Sequence, residues 1–510
     1  MKTILILGAG KSATYLIDYL ADSCVEKERK LILADLDQST AAAKLKNRAN
    51  TQAASIDIEN ADSRKALIGQ ADVVISMLPA FMHPVVAEDC LELGKHFFTA
   101  SYESDALREM AQEIETKQLF FLNECGLDPG IDHMSAMKII HEAKAKGEEI
   151  VSFKSYCGGL LSPQSEDNPW KYKFTWNPRN VVLAGQATSR FIEKGELKYV
   201  PYHQLFKRIE KVKFSGLGDF DGYPNRDSLS YRKVYGLEEI PTMLRGTLRR
   251  AEFCKAWDVF VQLGLTDDSF QMELPEGSTY RQFLNAFLPW SKTLSVEEKL
   301  AELIPDLDFP TFEKLQWLGF FENRKLPIIK GSPAQILQAI LEKDWALQPE
   351  DKDMIVMQHQ FEIKTERGIK KLTSSLVDLG KDAVHTAMAK TVGLPLAIAV
   401  DLFLEGKIKG AGLHLPVLPE IYQPILKELE KQGIGGNGQN ALEQMKQIEK
   451  QLLNKGFNNE TLQKILNLQY ELLKLEKAAQ QQGEEKKRQS QTNPSCGWPK
   501  NSRMLFPCFF

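Results

Sequence analysis

Apolar and polar positions change rhythm several times along the chain. Its first third alternates short apolar runs with polar, helix-spaced stretches. Lys2 to Leu7 (KTILIL) and Leu31 to Asp35 (LILAD) open the series, 71–78 (ADVVISML) follows and stops at Pro79, and 96–100 and 119–123 continue it. Uninterrupted apolar runs with helical segments between them predict parallel strands covered on both faces. Ligands of such sheets lie beyond the carboxyl ends of the strands, here at Leu78-Pro79, Ser101-Tyr102 and Glu124 to Asp128. After Asp128-Pro129-Gly130, the spacing of Met134, Met137 and Ile140 predicts a helix with Pro near its first position and Asp128 as a candidate N-cap. From 150 to about 250, aromatic-rich runs broken by Gly, Pro and Asn predict an antiparallel sheet. Residues 253–352 read as helical, 355–371 as strands again, and 387–404 as a small-residue helix able to return to the first sheet.

The first turn carries chemistry. Gly8-Ala9-Gly10-Lys11-Ser12-Ala13 joins the first strand to a helical face of Leu16, Ile17 and Leu20, and Asp35 ends the next strand. This is the dinucleotide-binding fingerprint in its strand–turn–helix–strand context. Gly8 permits the tight turn, Gly10 the approach of a pyrophosphate, and Ala13 close packing of helix on sheet. Gly8 to Ser12 would hold the phosphates and Asp35 the adenosine ribose. A carboxylate there repels a 2′-phosphate, and no Lys or Arg follows before Lys44, so NAD is expected over NADP. The fold class expected is therefore α/β: a Rossmann domain (1–128 and 385–434), an α/β substrate domain (129–250 and 354–384) and a helical insertion (251–353).

Composition adds bounds. A length of 510 residues calls for two or three domains, and a net charge of −4 without a basic stripe gives no support to nucleic-acid binding. Seven cysteines form no C-x-x-C pair, as expected of a reducing compartment. The first strand starts at the N-terminus and no apolar run approaches the length of a bilayer span, so a cytoplasmic protein without membrane contact is expected. Beyond the Gly435-Gly436-Asn437-Gly438 linker, 440–487 has helical apolar spacing that suits self-association, hence a homodimer. The end, 494–510, has no readable pattern.

Several strings resemble the saccharopine dehydrogenase family, in its glutamate-forming branch: Ala100-Ser101-Tyr102, Gly126-Leu127-Asp128-Pro129-Gly130-Ile131-Asp132-His133, Ser155-Tyr156-Cys157-Gly158-Gly159-Leu160, Tyr223-Pro224-Asn225-Arg226-Asp227-Ser228, Arg245-Gly246-Thr247-Leu248-Arg249 and Ala387-Met388-Ala389-Lys390-Thr391-Val392-Gly393-Leu394-Pro395. They occur in the family's order over about 1–434. The resemblance implies NAD-linked oxidative cleavage of saccharopine to glutamate and 2-aminoadipate 6-semialdehyde, as in lysine breakdown. It further implies that Ser101, Tyr102, Asp128, Arg226, Thr247, Leu248 and Arg249 contact saccharopine. Gly8, Ala9, Gly10, Lys11, Ser12, Asp35, Leu78, Pro79, Ser101, Leu127 and Asp128 would contact the nucleotide. Tyr102, Asp128 and Cys157 are the candidates for proton transfer, with a small buried hydrophobe the other reading of Cys157. Three substrate carboxylates need guanidinium forks. Arg245 lies near the expected arginines without an assigned role, and His133 reads as a structural or orienting residue. No metal-binding spacing is present. The alternatives are an NADP-dependent saccharopine reductase, a related carboxyalkyl-amine dehydrogenase, and a catalytically silent nucleotide-binding protein with an interaction tail.

Overall fold

The computed structural model describes residues 1–435 apart from 185 and 215; the expected tail helices and the self-association resting on them lie outside the described residues. β1 (Thr3–Leu7), β2 (Lys30–Asp35), β3 (Thr51–Ser55), β4 (Val73–Ser76), β5 (His96–Thr99) and β6 (Phe120–Leu122) form a parallel sheet in the order 3-2-1-4-5-6. Burial on both sides explains their unbroken apolar runs. Ile4, Ile6, Leu31, Leu33, Val73 and Ile75 face one core, while Leu5, Leu7, Ile32, Ala34 and Val74 face another. The strand order reverses between β1 and β4, which puts the glycine turn after β1 beside Met77 and Leu78 after β4.

The second sheet is built on β7 (Glu149–Leu161). The hairpin β8 (Ser189–Glu193) and β9 (Glu196–Val200) flanks it. Its main path adds β10 (Glu210–Phe214), β11 (Gly218–Pro224) and β12 (Thr242–Arg250), and later β15 (Asp353–Thr365) and β16 (Gly368–Leu379), in the order 10-11-12-7-15-16. The antiparallel expectation needs correction, because the central pair β7 and β12 is parallel, from Ser152 beside Thr242 to Cys157 beside Thr247. The chain between them is long and carries two hairpins. That length permits the crossover a parallel neighbour requires. Helices between 253 and 344 and the short pair β13 (Met272–Glu273) and β14 (Lys330–Gly331) enclose a separate core in which Trp170, Trp257 and Trp345 meet edge-on or stacked.

The chain then returns to the first sheet. Asp353 on β15 accepts the amides of Ala387 (2.5 Å) and Met388 (2.9 Å), fixing the start of the helix Ala387–Leu404. This helix lies along Thr14–Glu26, and a Cβ on Gly393 would stand 2.9 Å from the Leu16 amide nitrogen, so only glycine permits the approach. Its Asp401 accepts Arg29 (2.6 Å), Ser23 (3.0 Å) and Lys27 (2.5 Å). β17 (Gly412–His414) then extends the first sheet beside β6. The helix Ala387–Leu404 is long and apolar enough to cross a membrane, contrary to the expectation from the sequence. Its small side chains are instead mostly buried between the two sheets' coverings, as in a core helix.

Candidate active site

The glycine turn has the shape a pyrophosphate requires. Gly8 takes a positive φ of 103°, and a Cβ there would lie 3.0 Å from the Met77 carbonyl oxygen. A Cβ on Gly10 would meet nothing, so open space faces that backbone. Lys11–Ala13 forms a tight turn leading into Thr14–Glu26, and its first backbone bond runs from the Ala13 amide to the Gly10 carbonyl, 3.1 Å. The Gly10, Lys11 and Ser12 amides before it are left to donate outward. Asp35 Oδ2 accepts the Ala9 amide at 2.7 Å, which fixes its carboxylate at the tip of β2 against the turn. These residues fit a pyridine dinucleotide. Lys44 corrects the idea of remoteness: the helix Gln38–Leu45 folds back, and Lys44 Nζ donates to the Gly10 carbonyl (2.6 Å) and to Thr14 Oγ1 (3.1 Å). Burial holds the Lys44 ammonium below the usual lysine range, while Asp18 and Asp35 work against that.

Leu78 and Pro79, Ser101 and Tyr102, and Leu127 and Asp128 follow β4, β5 and β6 at the same sheet edge. The turn carrying Asp128 is tightly folded. The Gly126 amide donates to the Pro129 carbonyl (3.0 Å) and the Ile131 amide to the Gly126 carbonyl (2.8 Å), and a Cβ on Gly130 would sit 2.0 Å from Gly126 O. Gly130, and not Asp128, caps the helix Ile131–Ala145. Freed from capping, Asp128 accepts Arg245 Nη2 through Oδ1 at 2.6 Å, and the hydroxyl of half-exposed Tyr102 stands 3.5 Å from the same oxygen. The same Arg245 nitrogen reaches Asp132 Oδ2 at 2.7 Å, while Asp132 Oδ1 accepts the Gly130 amide at 2.6 Å. Burial and the Asp132 charge push Asp128 up to about 6 against the pull of Arg245. Asp132 is held below the usual carboxylate range: burial alone would raise it, but His133, Arg245 and the Gly130 amide outweigh that.

Beside this cluster Glu124, His133, Tyr231 and Tyr235 are hydrogen-bonded to one another. Glu124, in the left-handed region at φ 56°, accepts His133 Nε2 (2.8 Å), the Tyr231 hydroxyl (3.0 Å) and the Glu103 amide (3.0 Å). His133 Nδ1 meets the Tyr235 hydroxyl at 2.5 Å, and the Tyr231 ring lies 4.2 Å beneath the Arg245 guanidinium.

Alternation along β12 puts Arg245, Thr247 and Arg249 on one face of the second sheet. Ser155 and His359 stand level with Arg245, and Cys157 and Met357 with Thr247. His359 bonds Ser135 Oγ (2.7 Å) and Ser155 Oγ (3.0 Å), and burial lowers it to about 4, so its imidazole is neutral at pH 7. Burial, with Asp128 and Asp132 adding to it, pushes the Cys157 thiol well above its ordinary range, so it is a thiol at neutral pH and no thiolate base. Arg249 is 3% exposed and ringed by Tyr172, Tyr223 and Phe253 at 5.3 to 5.9 Å. Its Nη1 donates to the Leu248 carbonyl, its Nε has no acceptor, and among the described residues no carboxylate pairs with it. Leu248 itself is wholly buried in the second core, which leaves only its backbone to a ligand. Thr247 Oγ1 donates to Asn225 Oδ1 (2.7 Å), and the Asn225 amide donates to the Arg245 carbonyl (2.8 Å). The loop so anchored carries Arg226, which is exposed and has no ion pair among the described residues.

Two family models match the chain, the saccharopine dehydrogenase NADP binding domain over 4–122 and the saccharopine dehydrogenase C-terminal domain over 126–434. The chain belongs to the saccharopine dehydrogenase family. Within it, the chain is 35% identical over 446 residues to the yeast Saccharomyces cerevisiae protein named saccharopine dehydrogenase [NADP(+), L-glutamate-forming], covering 85% of this chain and 98% of that one. The solved apo structure of the yeast saccharopine dehydrogenase (L-Glu forming) superposes with a TM-score of 0.77 at 34% identity, over 85% of this chain and 98% of that chain. The mouse alpha-aminoadipic semialdehyde synthase, named as mitochondrial, is 34% identical over 86% of this chain. This chain spans about half the length of that relative, 48%. Membership supports an oxidoreductase with a pyridine nucleotide cofactor. Sequence reasoning gave no role to Asp132, Arg245, Tyr231 or Tyr235, which the structure gathers around Asp128 and Glu124. For Arg245 the signal was available, since it lies two residues before Thr247 and four before Arg249 on one strand.

Proposed function

We propose that this saccharopine dehydrogenase family member cleaves saccharopine oxidatively to glutamate and 2-aminoadipate 6-semialdehyde, with NAD as acceptor. Arg249 carries the reading. A buried guanidinium without a carboxylate partner is costly unless an anion arrives, and saccharopine brings three carboxylates. Arg226 takes a second carboxylate at the exposed rim. The glycine turn, Asp35 and the edge at Leu78 to Ser101 hold the nucleotide, whose nicotinamide supplies the acceptor for a hydride from the carbon beside the secondary amine. Asp128 accepts the amine proton and then serves the water that adds to the resulting imine; Tyr102 orients that carboxylate, and the Cys157 thiol lines the pocket. Collapse of the carbinolamine releases glutamate and the semialdehyde. The buried free cysteines among the described residues suit a reducing, cytoplasmic setting.

The test is reduced-nicotinamide fluorescence after mixing purified protein with saccharopine and either nucleotide. Growth of signal with NAD supports the reading, and none with either nucleotide sinks it. The second reading is NADP, favoured by the Lys44 ammonium at the glycine turn and by the names of the family model and the yeast relative. Asp35 decides between them. Wild type is expected to favour NAD in kcat/KM, and Asp35→Ser to move the ratio toward NADP by about 1–3 kcal/mol, the size of a partly screened repulsion at contact. A wild-type preference for NADP would assign the ribose site to Lys44 and overturn the role given to Asp35.

Arg226→Ala is expected to raise KM for saccharopine and cost about 1–2 kcal/mol in kcat/KM, a charged hydrogen bond discounted for exposure. Nucleotide titration should be unchanged. An unaltered kcat/KM would remove Arg226 from the site.

A further inference from the structure

We infer that Asp132 and Arg245 act as a positioning pair for Asp128: one guanidinium nitrogen is divided between two carboxylates, so that the sealed one withholds charge from the one that faces the substrate. The inference rests on the role proposed for Asp128.

The two carboxylates are unequal in surroundings. Asp132 has a side-chain exposure of 1%, and beyond Arg245 it holds the Gly130 amide, with His133 Nδ1 at 3.7 Å. Asp128 has an exposure of 14% and, beyond Arg245, only the distant Tyr102 hydroxyl. Arg245 Nη2 lies 2.6 Å from one and 2.7 Å from the other. One cation against two anions leaves the cluster a surplus negative charge, so a single proton has a strong reason to bind. It binds where the carboxylate has fewer donors, which is Asp128. The groups facing Asp128 from every side agree with this. Asp132 and His133 come from the helix Ile131–Ala145, Arg245 from β12, Cys157 from β7, Tyr102 from the loop after β5, and Tyr235 from the segment before β12. His359 is neutral, and the Glu124 carboxylate is already paired to His133 and Tyr231.

An ordinary structural salt bridge would need only one carboxylate. The second is unfavourable for stability, because a buried charge in excess of its partner costs more than the neutral pair alone. Its effect falls on the protonation of Asp128. Amidation of Asp132 would hand the whole guanidinium to Asp128 and make its proton easier to lose. A lysine at 245 keeps the charge but has one compact nitrogen on a shorter reach. It would stay with the more buried Asp132 and leave Asp128 more readily protonated.

Two variants with opposite expected signs test the pair. The carboxylic C=O band of Asp128, assigned by its disappearance in Asp128→Asn, is titrated by difference infrared spectroscopy on the nucleotide-free full chain. The midpoint, near 6 in wild type, should fall by about 1–2 pH units in Asp132→Asn and rise in Arg245→Lys. Where saccharopine is turned over, the acid limb of kcat/KM should move with it, and KM for saccharopine in Asp132→Asn should stay within about twofold, because Asp132 is sealed from the substrate side. Opposite shifts support the pair. Unchanged midpoints, or shifts in the same direction, overturn it, since general loosening moves both variants alike. Should wild type oxidise no saccharopine with either nucleotide, the proposed function falls, while the infrared titration still decides the pair.

Discussion

Replacing Arg249 by methionine should make the protein more stable and nearly useless. In the nucleotide-free protein the guanidinium is buried, its Nε lacks an acceptor, and three aromatic rings are its main company. Ring contacts return about 0.5–2 kcal/mol of a burial cost of several. An apolar side chain of similar length removes that cost and fills the space, so the midpoint of thermal unfolding should rise by the equivalent of about 1–2 kcal/mol. Saccharopine would then meet no fork for one of its carboxylates, and kcat/KM should fall by about 2–5 kcal/mol, the range for truncating one member of a desolvated charge pair. Differential scanning calorimetry and steady-state kinetics on one preparation check both. A variant that melts early and still turns over would make Arg249 a structural cation.

Asp128→Asn should cost about 10²–10³-fold in kcat, the usual worth of a positioned proton acceptor, and should abolish the acid limb of the pH profile. In wild type the carboxylate must be ionised to take a proton. Burial and Asp132 raise it to about 6, so activity should climb as pH rises through about 6 and level off above. The variant should still fold, because Arg245 keeps Asp132. Full activity with an unchanged limb would mean that another group accepts the proton.

The first sheet was legible because its signals are local. An apolar run, a glycine turn and a strand-ending acid fall within a few dozen residues, and each has one geometric meaning. The second sheet was not, since nothing local announces that β12 pairs in parallel with β7; pairing direction depends on what the long crossover does. The same holds for the cluster at Asp128. Arg245 meets Asp132 across 113 residues of sequence, and only tertiary structure supplies the neighbour. Asp128 read as a helix cap because Asp before Pro usually is one, but the turn between Gly126 and Gly130 assigns the cap to glycine and turns the carboxylate elsewhere. Lys44 looked remote by counting residues, yet one short helix reverses direction and returns it to the turn. Arg249 and Thr247 stand two apart on one strand, and that period-two spacing already implied that Arg245 shares their face.

The helix Ala387–Leu404 has a consequence for how the chain is made. It covers the helix Thr14–Glu26 through the Gly393 contact and the Asp401 anchor, yet the ribosome releases it only after the whole second sheet. At synthesis rates of roughly 5–20 residues per second, the early strands wait many seconds with an apolar flank uncovered. A chaperone that shields short apolar helices would find its client in that interval. Ribosomes stalled before residue 387 should hold nascent chains that proteases cut readily near Leu16, and stalling well past 404 should close the site.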